Sequence, residues 1–272
     1  HSLLNTLQKS KYRNTITGTP EDVTSITLED VKLVYDTFYH PENMFLTLTG
    51  NFNPYEMACL VEDNLSKKKF GKYLNPIIIK ENEPKKVTTK YKEEYINVTY
   101  PRLKFSIKMD MSRFKNYSSL ELKILTSLLF NINFGATSDF KDELMEKGLI
   151  QNMNVTCDVY DDTFVVTINV TSNFKEEIIK KVKEKLENLS ISELDFKRKK
   201  NATIATLILD YEDLENVSYR IQDDVLNNGG IVTNLKEILE DETIDDLKNI
   251  IDLLDFDNIS INVFLPKENQ KE

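Results

Sequence analysis

Two stretches of this sequence repeat one another, and the repeat constrains the fold more tightly than any other feature. Thr27-Leu-Glu-Asp-Val-Lys32 opens a helical pattern and is followed, after Asn43, by an alternating apolar run. Thr243-Ile-Asp-Asp-Leu-Lys248 opens a second, followed after Asn258 by another alternating run. In each copy the Thr hydroxyl can accept the backbone N–H three residues on, and the acidic residues suit a first helical turn. The offset is 243 − 27 = 216, and the helix-to-strand connections differ in length by one residue. Such a repeat implies two similar halves. The second copy is expected to span about residues 91 to 265, and the first to end near 66. Its start would then fall near 91 − 216 = −125, so roughly 125 residues of the first copy are expected outside this sequence.

Hydrophobic periodicity fills in the elements. Val31, Val34, Tyr35 and Phe38 share one helical face, and Pro41 stops that helix. Met44, Leu46 and Leu48 alternate with Phe45, Thr47 and Thr49, which predicts a strand ended by Gly50. A helix follows from Pro54. Residues 67–90 hold two prolines, a glycine and a lysine run, and read as a linker with a short strand at Ile77–Ile79. Beyond it, Leu103, Phe105, Ile107 and Met109 alternate with polar residues, which predicts an antiparallel sheet with one wet face. Ser118-x-x-Glu121 is a capping box for a helix that Gly135 breaks. A helix from about Ser138 to Lys147 is expected to be capped by Gly148. Phe164, Val166, Ile168 and Val170 predict another strand, and Asn173 with Glu176 the cap of a helix burying Ile178, Ile179, Val182 and Leu186. Ser190-x-x-Glu193 starts a long helix, Asn-Asn-Gly-Gly at 227–230 stops the next, and a short helix is expected near Leu235. A helix from Thr243 and a strand through Ile259, Ile261, Val263 and Leu265 close the chain. The expected fold is therefore α+β: an antiparallel sheet with helices packed on one side. The expected organisation is 1–66 as the end of a first half, 67–90 as linker and 91–272 as a second half.

Several chemistries have no support in these residues. A net charge of −10 argues against a nucleic-acid partner, because phosphate contacts need a basic face. No apolar run approaches the ~20 residues a membrane span needs. The two cysteines, Cys59 and Cys157, stand far apart without a Cys-x-x-Cys motif and read as reduced core thiols in a cytoplasm. Only two histidines exist, His1 and His40. They cannot share a helical face, so no metal site or catalytic residue is expected in this chain. His40, followed by Pro41, reads as a turn histidine. Neither a nucleophile elbow nor a nucleotide-binding glycine loop is present.

A family resemblance runs through most of the sequence in order. Ile16-Thr-Gly-Thr-Pro-Glu-Asp-Val-Thr-Ser-Ile-Thr27, Tyr35-Asp-Thr-Phe-Tyr-His-Pro-Glu-Asn-Met44 and Leu48-Thr-Gly-Asn-Phe-Asn-Pro54 resemble a run in the first half of the insulinase-like (pitrilysin-type) zinc metallopeptidases. Gly135-Ala-Thr-Ser-Asp-Phe-Lys-Asp-Glu-Leu-Met-Glu-Lys-Gly-Leu-Ile150 resembles the matching run in their second half. The similarity is to the bacterial, processing-peptidase-like members. It implies two homologous halves closing like a clamshell around a peptide. It also implies an inverted His-x-x-Glu-His motif in the first half, whose His residues and a downstream Glu bind zinc while the motif Glu activates water. Those positions should precede residue 1. Many relatives place an Arg and a Tyr near the scissile bond from the second half. The matching positions here are Met145 and Gln151, which depart from that pattern. They are the candidate substrate-side residues, Met145 expected to pack into the core and Gln151 to face the chamber.

The resemblance implies a non-catalytic C-terminal part of a zinc-dependent endopeptidase, forming the second wall of a peptide-binding chamber. Its partners would be the absent catalytic half and unfolded peptides. An alternative is an inactive pseudo-peptidase subunit that binds peptides or pairs with a catalytic subunit, as a homo- or heterodimer. A third reading, a stand-alone interaction module, predicts that residues 1–66 pack fully onto the rest. The fragment reading predicts instead an exposed apolar face there.

Overall fold

Five strands form among the described residues: β1 (Tyr91–Ile96), β2 (Arg102–Lys108), β3 (Asn152–Tyr160), β4 (Thr163–Thr171) and β5 (Ile259–Pro266). In this computed structural model, which describes residues 2–77, 79, 81–160 and 162–267, they form one sheet in the order β1-β5-β2-β4-β3. Three pairings are antiparallel; β1 joins β5 in parallel, so the sheet is mixed. The helices are α1 (Ser2–Thr6), α2 (Pro20–Ser25), α3 (Leu28–Phe38), α4 (Pro54–Ser66), α5 (Ser119–Phe134) and α6 (Asp139–Glu146). They continue with α7 (Lys175–Glu187), α8 (Glu193–Asp210), α9 (Leu214–Asn228), α10 (Leu235–Asp241) and α11 (Ile244–Leu253). Among the described residues no helix is long and apolar enough to cross a membrane.

The chain divides into two units. The larger comprises the described parts of His1–Ile16, Lys80–Ile204 and Asn234–Glu272, and holds the whole sheet. Leu103, Phe105 and Ile107 of β2, Phe164, Val166 and Ile168 of β4, and Ile259, Ile261 and Val263 of β5 point to one face. There they meet Leu122, Leu125 and Leu129 of α5, Ile178 and Val182 of α7, and Leu247 and Ile250 of α11. Removing this much apolar surface from water is the main stabilising contribution. Ser118 and Thr243 both form complete capping boxes, with Glu121 and Asp246.

The other face of the sheet is covered at one end by the chain's first residues. α1 lies against β2 and β5, Asn5 Nδ2 donates to Asn262 Oδ1 at 2.5 Å, and Leu7 is fully buried. The carboxylate of Glu83 fastens this strap. It accepts the backbone N–H groups of Gln8, Lys9 and Ser10 at 2.7, 2.7 and 2.8 Å and the ammonium of Lys108 at 2.5 Å. Burial alone would raise the pKa of Glu83, but Lys108 and the three N–H groups reverse that and pull it down to about 2. Burial pushes Lys108 down, opposed by Glu83. Four donors converge on the carboxylate, so the pair is held ionised.

The smaller unit comprises Thr17–Ile79 and Ala205–Thr233. Thr19 and Thr27 cap α2 and α3 with reciprocal boxes to Asp22 and Asp30. Val31, Val34, Tyr35 and Phe38 of α3 are all exposed. An apolar cleft of about 610 Å³ lies in this unit, lined by Leu46, Leu48, Phe52, Met57, Val61 and Leu65 among others.

Some expected elements differ. The strand expected at Met44–Thr49 is absent: the segment has no ladder partner among the described residues. Ile77 and Ile79 belong to no strand, and Ile78 lies outside the described residues. Asn173 does not cap α7, whose N-cap is Phe174 without a side-chain bond. Ser192 rather than Ser190 meets the start of α8: its Oγ accepts Asp195 N–H at 3.0 Å, while Ser190 N–H is engaged by Asn133. β1 and β3 were not foreseen. β1 is rich in charge, and β3 carries Asn and Asp, which are depleted from strands.

Candidate functional site

The candidate residues Met145 and Gln151 flank a turn whose shape follows from one glycine. Gly148 sits at φ 66, a backbone conformation that a side chain would strain. Gly148 N–H donates to Met145 O and Leu149 N–H to Leu144 O, both at 2.9 Å, closing the end of α6 in a Schellman arrangement. Leu144 and Leu149 then bury together in the core. Ser172 Oγ donates to Leu149 O at 2.6 Å, tying the turn to the end of β4. The chain leaves as β3, with Gln151 N–H donating to Thr171 O at 2.9 Å.

Both side chains face solvent at this turn. Met145 is 46% exposed, so the expected core packing of this residue does not occur: the helix turns its Leu144, not Met145, inward. Gln151 is exposed, and its described bond is through the backbone.

β3 is the last strand of the sheet, so one of its backbone edges has no strand beside it among the described residues. The polar face of the sheet extends from this edge. Opposite the core, residues line up in rows across the strands. One row is Phe264, Arg102, Thr171 and Asn152; the next is Asn262, Lys104, Asn169 and Asn154; the third is Ser260, Ser106, Thr167 and Thr156. In the third row Ser260, Ser106 and Thr167 are buried, and Ser106 hydrogen-bonds Thr167 at 3.2 Å. The first two rows open to solvent at Arg102, Asn152 and Asn154. Sequence reasoning anticipated the wet face but not these rows, because β3 was not recognised as a strand.

The described residues do not fit a zinc ion. No three His, Cys, Asp or Glu side chains among them gather within ligating reach. His40 is taken up by a turn: its Nδ1 accepts Glu42 N–H at 3.2 Å and its Nε2 lies 3.2 Å from Gly71 O, with the ring stacked on Tyr73 at 5.1 Å. His1 lies outside the described residues. Of the two thiols expected in the core, Cys59 is exposed on α4 instead, whereas burial pushes Cys157 up to about 12, the opposite of an activated nucleophile.

A mixed five-stranded sheet with helices on one face and a strap on the other defines an α+β domain. The chain belongs to a known family of that kind: the family described as "Peptidase M16 inactive domain" matches residues 25–203. Over 149 residues it is 32% identical to a Bacillus subtilis (strain 168) protein described as "Uncharacterized zinc protease YmfH", which covers 54% of this chain and 34% of that protein. The chain thus spans about a third of that curated relative's length. Among solved structures, a protein from Alicyclobacillus acidocaldarius described as M16-like superposes with a TM-score of 0.85 at 22% identity, over 97% of this chain and 64% of that one. A protease from Helicobacter pylori superposes with a TM-score of 0.75 at 18% identity, over 92% of this chain and 62% of that one. These two likenesses are of fold.

Proposed function

We propose that this chain is the non-catalytic part of a zinc-dependent endopeptidase and forms the second wall of a chamber that holds an unfolded peptide. The observation that carries the proposal is the edge of β3, which has no strand beside it among the described residues and adjoins an open polar sheet face. An extended peptide can add to such an edge through main-chain hydrogen bonds, which bind without demanding one sequence. In this reading residues 1–66 end the first half, 67–90 link, and 91–272 make the second half, with Met145 and Gln151 beside the bound peptide. The zinc and its His-x-x-Glu-His ligand motif belong to an upstream catalytic half, which is this chain's partner. The exposed apolar faces of α3 and of the cleft beside α4 support that partner, since contiguous apolar surface of this kind marks an interaction site. We also infer a reducing, cytoplasmic setting, because neither Cys59 nor Cys157 joins a disulfide.

The test uses the chain with zinc and a labelled unfolded peptide. Peptide binding is expected, along with neither stoichiometric tight zinc binding nor hydrolysis. N-methylation of alternate peptide nitrogens should abolish binding by at least about tenfold if the β3 edge is the contact. Metal-dependent cleavage by this chain alone would overturn the placement of the chemistry. Upstream sequence without the zinc motif would replace this reading with that of an inactive peptide-binding subunit.

A further inference from the structure

Against a chain charge of −10, the open part of the polar sheet face carries a cluster of the opposite sign. Arg102 and Lys104 stand two residues apart on β2, both on the face away from the core, since Leu103 and Phe105 between and beyond them are core residues. Lys92 of β1 shares the row of Lys104, because both are in register with Asn262 of β5. On the other side Lys104 is flanked by Asn169 and then Asn154, whose amides can donate. Among the described residues, neither Arg102 nor Lys104 has an acidic partner, whereas the neighbouring buried Lys108 is fully engaged by Glu83. Glu94 bounds the cluster on β1, in register with Phe264. Asp158 lies beyond the third row, opposite Val165.

We propose that Arg102 and Lys104, with Asn169 and Asn154, form a carboxylate-reading patch that makes this wall select acidic unfolded peptides. The proposal rests on the peptide-wall reading and names its substrate class. A peptide strand added at β3 would run beside Asn154 and Asn152, about 14 Å or three strand spacings from β2, so acidic side chains turned toward the polar face would meet the asparagine amides first and lie in the field of the two cations. At that separation Arg102 and Lys104 attract through the field of their charges, which is weakly screened at low salt, rather than by direct pairing. The two asparagines supply neutral donors that bind a carboxylate without the repulsion another acid would bring. The same cations would repel a basic peptide, so the patch discriminates in both directions.

The experiment compares three labelled unfolded peptides of one length, Glu-rich, Gln-rich and Lys-rich, by fluorescence anisotropy with the 272-residue chain at low and high salt. The Glu-rich peptide should bind about tenfold tighter than the Gln-rich one at low salt, and the gap should narrow as salt rises. Arg102→Gln with Lys104→Gln should bring the Glu-rich peptide to the affinity of the Gln-rich one and leave the latter unchanged. Lys183→Gln with Lys197→Gln removes the same charge from exposed helical positions and should change neither. Asn154→Lys, which adds a cation to the row, should tighten the Glu-rich peptide further. Equal binding of all three peptides, or an acidic preference that survives the Arg102/Lys104 double variant, overturns the patch while leaving the wall reading standing. Failure of every peptide to bind overturns both.

Discussion

The two copies of the repeat begin alike and end differently. Thr27 and Thr243 both cap a helix with a reciprocal bond to the Asp three residues on, the backbone bonds being 2.9 and 2.8 Å. After that they diverge. In the second copy Leu247 and Ile250 are fully buried and β5 lies between β1 and β2. In the first, Val34 is 51% exposed and the alternating segment 44–49 forms no ladder among the described residues. Caps are local, and each of these two is made within its own four residues whatever lies beyond the helix. A strand is a relation between segments, and the alternation in 44–49 specifies a face without supplying the neighbour that would make it a strand.

The comparison can be broken most severely in the core. Leu247→Ala should cost about 2–5 kcal/mol, read as the urea midpoint, because it leaves a cavity under the sheet. Val34→Ala at the exposed face of α3 should stay within about 0.5 kcal/mol. Comparable losses at both sites would mean that the α3 face is covered in solution.

A smaller and pH-dependent contrast lies just before each cap, where the first copy has the exposed Ile26 and the second the buried Glu242. Burial, with Asp246 and Glu121 nearby, raises the Glu242 pKa from 4.5 to about 7, against the pull of Lys200. A carboxyl whose folded pKa is raised disfavours folding once the unfolded chain has ionised. Stability should therefore be intact below about pH 4.5 and fall by about 2 kcal/mol as pH rises to about 7. Glu242→Gln should abolish that fall, seen by comparing urea midpoints at pH 5 and pH 8. An unchanged pH slope in the variant would remove Glu242 as its source.

The smallest effect separates the caps. Thr243→Ala should cost about 1 kcal/mol of global stability. Thr27→Ala should show mainly as local fraying, in faster amide exchange over residues 28–31 with little change in the main transition.

What could be read from the residues follows the same division. The boxes at Ser118 and Thr243, the Gly148 cap and the alternation of β2, β4 and β5 are each written within a few residues, and the structure has them in place. β1 and β3, the edge strands, stayed hidden because edges carry the polar residues that weaken a strand signal. The candidate site was legible only in part. Gln151 and Met145 came from resemblance and land on one exposed turn, whereas the Arg102 and Lys104 rows required knowing that β3 lies beyond β4. The strap was invisible because its key contact joins Glu83 to Lys108 and to residues 8–10, groups with no shared local pattern.

The path of the chain between the two units has a practical outcome for limited digestion. The backbone leaves the larger unit after Ile16, is back in it by Glu81, departs again after Ile204 within α8, and comes home at Asn234. A protease nick at any one crossing leaves both units threaded through the remaining three. No contiguous truncation isolates the larger unit intact, so a stable product from a single cut should still migrate as one native particle and fall into two pieces only under denaturant.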